Sequence, residues 1–553
     1  MVVLGLLAMF GCAGGEGPVA PLEPVGGTLV LGQSLVVAGG RDARIIADTS
    51  GGEFIAVVTN VALDTSSSTS FSLTGTGLGV PKPAGPFGTR VSLEPSPSKS
   101  LGATSLVRDA ELEGRLRDRE SRELGPRFKS ARAWHASVVP SLPTTLVVGD
   151  VARINVNAKD PCTNPVYHGV RVVAIGTKAL ILEDTLNPKP GFSVADYQRY
   201  AARFDTLVYP LIVSAFGEPS DIDGNGQVAI VFTRSVNELT PSGTGTYVAG
   251  ITAPRDLFPQ TGASPTETCA ASNEGEYVYL LAPDPSGTIN GNQRTNGFVD
   301  TNTTAVLAHE LVHLINASRK LYVNTSAQRF EVKWLDEGLA HEGEELLFYR
   351  EADLAPRQNL TFQALQSSGR FAAYQSHMAA NASRYATYLA NPASSSPYAS
   401  GDAIATRGAA WSLLRYLADR TSPSDGTIWS RLIDSPVVGF ANLQGVFGSD
   451  LPSMVRDWSV SHALDDAAFA PPEYQQRSWN FHSVFSGIDG TAALYPLHVA
   501  GMTTGTLFSG SIVAGGARFY QFTVPPNGTA TLAFGAQSDR DASHLQLVLV
   551  RTK

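Results

Sequence analysis

Residues 19–85 alternate apolar and polar positions in short runs, at 27–31, 53–58 and 70–73, with Gly, Ser and Asp at the breaks. Period-two alternation bounded by turn residues predicts an N-terminal β-sandwich domain. That pattern is lost over 86–140. A Pro-, Gly- and Ser-rich linker to about residue 104 leads into 107–123, where Arg, Asp and Glu crowd together. The mixed charge predicts a solvated helix without a binding role. Residues 141–200 resume β pattern, with strands expected at 170–175 and 179–183. Over 201–490 the apolar period shifts towards 3.6. An amphipathic helix is expected at 194–216, a buried strand at 228–233, a strand at 273–282, a core helix at 411–420, and mostly helix from 430 to 485. Short alternation returns over 491–553, notably at 517–524, and predicts a C-terminal β-sandwich domain.

A chain of 553 residues exceeds a single hydrophobic core, so several domains are expected. Charged residues make up 16%, and Gly, Pro, Ser and Thr are abundant, as in exported β-containing proteins. A net charge of −9 argues against a nucleic-acid partner. Past the N-terminus no apolar run is long enough to span a bilayer. Residues 1–18 read as a leader: an apolar run ends at Gly11-Cys12, like a bacterial lipoprotein signal whose Cys12 is acylated and attaches the protein to a membrane. No Lys or Arg precedes that run, which points to a start upstream of Met1. A simple secreted form stays open beside the lipoprotein. The other two of the three cysteines, Cys162 and Cys269, are expected to form one disulfide in an oxidising compartment.

The chemistry concentrates at 305–315, Ala-Val-Leu-Ala-His-Glu-Leu-Val-His-Leu-Ile. His309 and His313, four apart on a helix, share one face and can reach one metal ion. Glu310 stands beside them as a base that need not be a ligand. Thr303 or Thr304 is the expected helix cap, with the helix running through Asn316. A catalytic zinc takes three protein ligands. The second helical stretch, 334–347, offers Glu337, with twenty-three residues between it and His313. His341, one turn further on, is its rival, and Gly338 permits close helix packing. Glu342, Glu344 and Glu345 read as a solvated face. Separately, Asp221, Asp223 and Asn225 in Asp-Ile-Asp-Gly-Asn-Gly have the spacing that opens a calcium loop, but Phe232 stands where a bidentate Glu would be needed. A polar turn is the competing reading.

His309-Glu310-x-x-His313 followed by Trp334-x-x-Glu337-Gly-x-Ala340 resembles the gluzincin metallopeptidases, and within them the secreted bacterial hyicolysin-like family. Segments 216–227 and 272–280 also resemble stretches that precede the zinc helix there. The likeness covers roughly 145–460. It implies an α+β multidomain protein: a zincin-like metallopeptidase domain with mixed sheet and zinc helix, flanked by N- and C-terminal β-sandwich modules. It implies Zn2+ on His309, His313 and Glu337, Glu310 as the catalytic glutamate, a protein or peptide substrate, and the 273–282 strand edging the cleft. The expected function is a secreted or surface-anchored zinc endopeptidase. Two alternatives stay open: an aminopeptidase of the same clan, which lacks support from a Gly-x-Met-Glu-Asn segment, and a non-catalytic adhesion or carbohydrate-binding lipoprotein. Tyr398 and His377 are the candidates for the oxyanion donor such chemistry needs.

Overall fold

Val228–Thr233 is buried at every position, the mark of a strand covered on both faces. In the computed structural model it lies inside a six-stranded sheet ordered Gly250–Thr252, Tyr277–Leu281, Val228–Thr233, Ala179–Asp184, Tyr167–Ile175, Val151–Asn155. The structure describes residues 23–81, 91–92, 107–108, 110–134, 142, 145–159, 162–244, 246–262, 264, 267–421, 424–488 and 495–553. The leader and Cys12 lie outside them.

The three central strands run parallel, with Ile181 opposite Ile230 and Ile230 opposite Val278. The other three pairings are antiparallel. Crossing between the first two parallel strands is the amphipathic helix, Val194–Arg203, opened by a Ser193–Asp196 capping box and continued through a widened turn to Tyr209–Phe216. Gly250–Thr252, and not the 273–282 segment, is the edge strand; Tyr277–Leu281 lies one strand inside. Three residues are too few for alternation to register. Cys162 and Cys269 are joined, tying the loop after Val151–Asn155 to the loop before Tyr277–Leu281.

One long helix covers the edge of this sheet and a second packs against it. The first, Asn296–Ser318, starts earlier than its apolar pattern, with Thr295 capping the Phe298 N–H. Thr303 and Thr304 lie inside it. Its close approach to the edge strand needs Gly250, where a Cβ would stand 2.6 Å from Val306 and 3.2 Å from Glu310. The second, Lys333–Ala352, packs against the first at Gly343, where a Cβ would stand 2.9 Å from Val312. Gly338 faces Leu414 of a third helix, Ile404–Thr421.

The two ends of the chain do not make separate sandwiches. Their strands interleave into two sheets: Gly52–Asn60 pairs with both Ala517–Val524 and Leu545–Arg551, and Ser68–Thr76 with Leu507–Val513 and Thr529–Ala536. One core fills the space between them, built from Phe54, Val58, Leu73, Phe522 and Leu547 among others. Ile55, Val57, Phe519 and Val548 turn the other way and join the main core. Among the described residues no helix is long and apolar enough to cross a membrane.

Candidate metal centre

The spacing of His309 and His313 does what helical geometry demands: their Nε2 atoms lie 3.1 Å apart. The second helix brings Glu337 to them, its carboxylate oxygens 3.4 Å from His309 Nε2 and 3.7 Å from His313 Nε2. Donors 2.0–2.1 Å from a tetrahedral zinc stand about 3.3 Å apart. Two imidazole nitrogens and a carboxylate at 3.1, 3.4 and 3.7 Å therefore fit that ion in number, type and separation. All three residues, with Glu310, are only 1–3% exposed.

Each histidine is oriented through its other ring nitrogen. His313 Nδ1 lies 2.7 Å from Asp336, whose second oxygen accepts from Asn316 at 2.6 Å. His309 Nδ1 lies 2.9 Å from Glu344. Such carboxylates fix the ring and its tautomer and present Nε2 to a metal. Burial pushes the Glu344 carboxyl up, but His341 and His309 outweigh it and hold it well below the usual range. Burial likewise raises Glu337, yet Arg407 above all, then His313 and His309, keep it strongly ionised. Arg407 Nη1 reaches Glu337 at 3.1 Å and Glu113 at 2.7 Å, and its Nε donates to Asp402 at 2.8 Å.

Several expectations change here. His341 is fully buried beside Glu344 with its ring tilted 50° against that of His309, and it falls in a second group with those two residues, not in the His309–His313–Glu337 group. Burial and then Arg384 push its imidazole well below the ordinary histidine range. Glu342, Glu344 and Glu345 are buried, not solvated, because the Lys333–Ala352 helix is enclosed by its neighbours; Glu345 accepts from Trp479 at 2.6 Å and pairs with Arg415 at 3.3 Å. Neither oxyanion candidate reaches the site. The Tyr398 hydroxyl donates to the Ala62 carbonyl at 2.8 Å, and His377 pairs with Glu351.

The charged stretch at 107–123 is displaced most from its expected place. Its helix, Ala110–Leu124, lies over the metal group, and Glu113, Leu116, Arg117 and Glu120 line the same cavity as His309, Glu310, His313 and Glu337. Arg117 Nη2 is 3.9 Å from Glu310, while Nη1 donates to the Thr252 carbonyl at 2.6 Å. Thr252 in turn donates its hydroxyl to the Glu310 carbonyl at 2.8 Å.

Asp221 and Asp223 do converge, but with Glu276 as the third carboxylate. Asn225 is turned away as a ligand: its amide nitrogen donates to Asp223 at 2.7 Å and its oxygen accepts from Gln227 at 2.6 Å. Glu276 comes from the start of the neighbouring strand, fifty residues beyond any local loop motif.

Two histidines and one glutamate, with carboxylates behind both rings, form a group that could hold a metal ion. No known protein-family profile matches the chain. Over 150 residues it is 31% identical to neutral metalloprotease ShpI of Staphylococcus hyicus, a stretch covering 27% of this chain and 30% of that protein. This similarity supports a metallopeptidase relationship, over less than a third of the relative's length.

Proposed function

We propose that the protein is an exported zinc endopeptidase of the gluzincin type, with a zincin-like catalytic domain and His309, His313 and Glu337 as the metal ligands. The observation that carries this reading is the placement of three donors at zinc-like separations with Glu310 beside them and outside the ligand set. When bound, zinc supplies Lewis acidity that acidifies water and polarises a peptide carbonyl. Glu310 accepts the proton of the attacking water and returns it to the leaving amine. Asp336 and Glu344 hold the imidazoles in one orientation throughout. Arg407 holds Glu337 against rotation and keeps it ionised. The relationship to a neutral metalloprotease favours a peptide substrate over a purely structural metal site, which has no use for a base beside it. The test is zinc content and peptide cleavage by wild type and Glu310→Gln: equal cleavage by a zinc-loaded variant would sink the mechanism.

We also propose a calcium site at Asp221, Asp223 and Glu276. Ligand oxygens of the three lie within 4.8 Å of one another. Glu276 is 3% exposed, and while its Oε1 accepts from the Ile222 N–H at 3.0 Å, its Oε2 is buried with no hydrogen-bond partner among the described residues. Burial and then the neighbouring Asp221 push Asp223 up to about 6. Without a cation the folded state thus retains a proton that the unfolded chain releases near 3.8. That contribution to stability is present at low pH and lost as pH rises through about 6. Calcium should therefore raise Tm at pH 7.5, by about 2.7 kcal/mol of stability at a hundred times its Kd, and much less at pH 5. Asp223→Asn should abolish the calcium effect. A Tm that ignores millimolar calcium at pH 7.5 contradicts the site.

A further inference from the structure

We propose that the helix Ala110–Leu124 is an autoinhibitory cover that occupies the substrate's place over the metal centre; this rests on the peptidase reading above. A polypeptide substrate must bring an extended segment to the metal, to Glu310 and alongside the edge strand. The helix engages all three. Arg117 stands 3.9 Å from Glu310 and donates to the Thr252 carbonyl, the end of the edge strand, at 2.6 Å. Leu116 and Glu120 fill the remaining wall of the cavity. Glu113 meets the same Arg407 nitrogen that holds Glu337, 2.7 Å on one side and 3.1 Å on the other. With the helix in place, the ligands and Glu310 are buried and no peptide can reach them.

The cover is held in a way that suits release. Its contacts to the centre are two ion pairs, Arg117–Glu310 and Glu113–Arg407, beside the Arg117–Thr252 hydrogen bond and the Leu116 side chain, and Lys333 Nζ secures its outer side at 3.0 Å from Asp118. Desolvated pairs of this kind return little net stability, because the cost of removing water offsets their attraction. The segment that follows is anchored more firmly. Arg132 donates to the carbonyls of Leu321, Lys320 and Ala327 at 2.7, 2.9 and 2.6 Å, and Phe128 packs against Phe258 and Phe330. The helix can therefore leave the cleft while the chain beyond it stays docked. Gly114 marks where it sits closest: a Cβ there would lie 2.5 Å from Asp402 Cβ.

The experiment compares the zinc-loaded full chain with two variants, Arg117→Ala, which removes the pair to Glu310, and Gly114→Leu, which wedges the helix off Asp402 but keeps Arg117. Two quantities are read: cleavage of a quenched fluorescent peptide library, and the rate at which the chromogenic chelator 4-(2-pyridylazo)resorcinol extracts zinc. Relieving a cover raises both by the inverse of the uncovered fraction, an increase of about tenfold or more in each variant. Lower cleavage in Arg117→Ala with zinc retained would overturn the proposal and make Arg117 a group the reaction uses. Unchanged extraction in both variants would also overturn it. Faster extraction with no cleavage by any form would uphold the cover and count instead against the peptidase reading.

Discussion

His309 and His313 are held by carboxylates that contribute nothing directly to a reaction, and their removal separates orientation from ligation. Asp336→Asn and Glu344→Gln should each weaken zinc binding about 10–100-fold while leaving one site per chain. Competition against a chelator of known affinity measures this, and unchanged affinity would remove both residues from the account. The convergence of the two imidazoles was legible in the sequence because helical spacing is local: a separation of four aligns them wherever the helix lies. Glu344 was readable in principle too, seven residues past Glu337 and so on the same face. It was misread because burial of a Glu-rich run is decided by neighbouring helices, not by the run. Arg407, Arg117 and Glu276 come from distant segments and carry no local signal.

At the level of elements, apolar periodicity located the long helices and the central strands, since each depends on residues within one or two turns. Boundaries followed other rules. The first long helix begins at Asn296 because Thr295 caps it, although 296–302 reads too polar and Gly-containing to look helical. Helix contacts are set by small residues. Gly408 is a clear case: a Cβ there would lie 2.3 Å from the Arg384 backbone in the facing helix Ala379–Ala390. Gly408→Ala should therefore destabilise the protein by about 1–3 kcal/mol through overpacking, and it should shift Arg407 beside it. Thermal unfolding measures the first effect and zinc affinity the second. A Tm equal to wild type would mean the helices can part without cost.

Across the whole molecule, sequence order concealed the arrangement most. The two β-rich ends read as independent modules because alternation reveals strands but not partners. Pairing of Gly52–Asn60 with strands almost five hundred residues away is a tertiary fact. The same holds for the charged helix, whose polar composition predicted a solvated surface while tertiary packing lays it over the metal group. What unites these scales is the proposal of a buried zinc hydrolase centre beneath a removable cover, so the direct measurement uses protein with the cover loosened. In the Arg117→Ala background, peptide cleavage is compared with and without Glu310→Gln at equal zinc content. Loss of the general acid–base should lower the rate about 10²–10⁴-fold with zinc retained. Equal rates at one zinc per chain would contradict Glu310 as the base and, with it, the central claim.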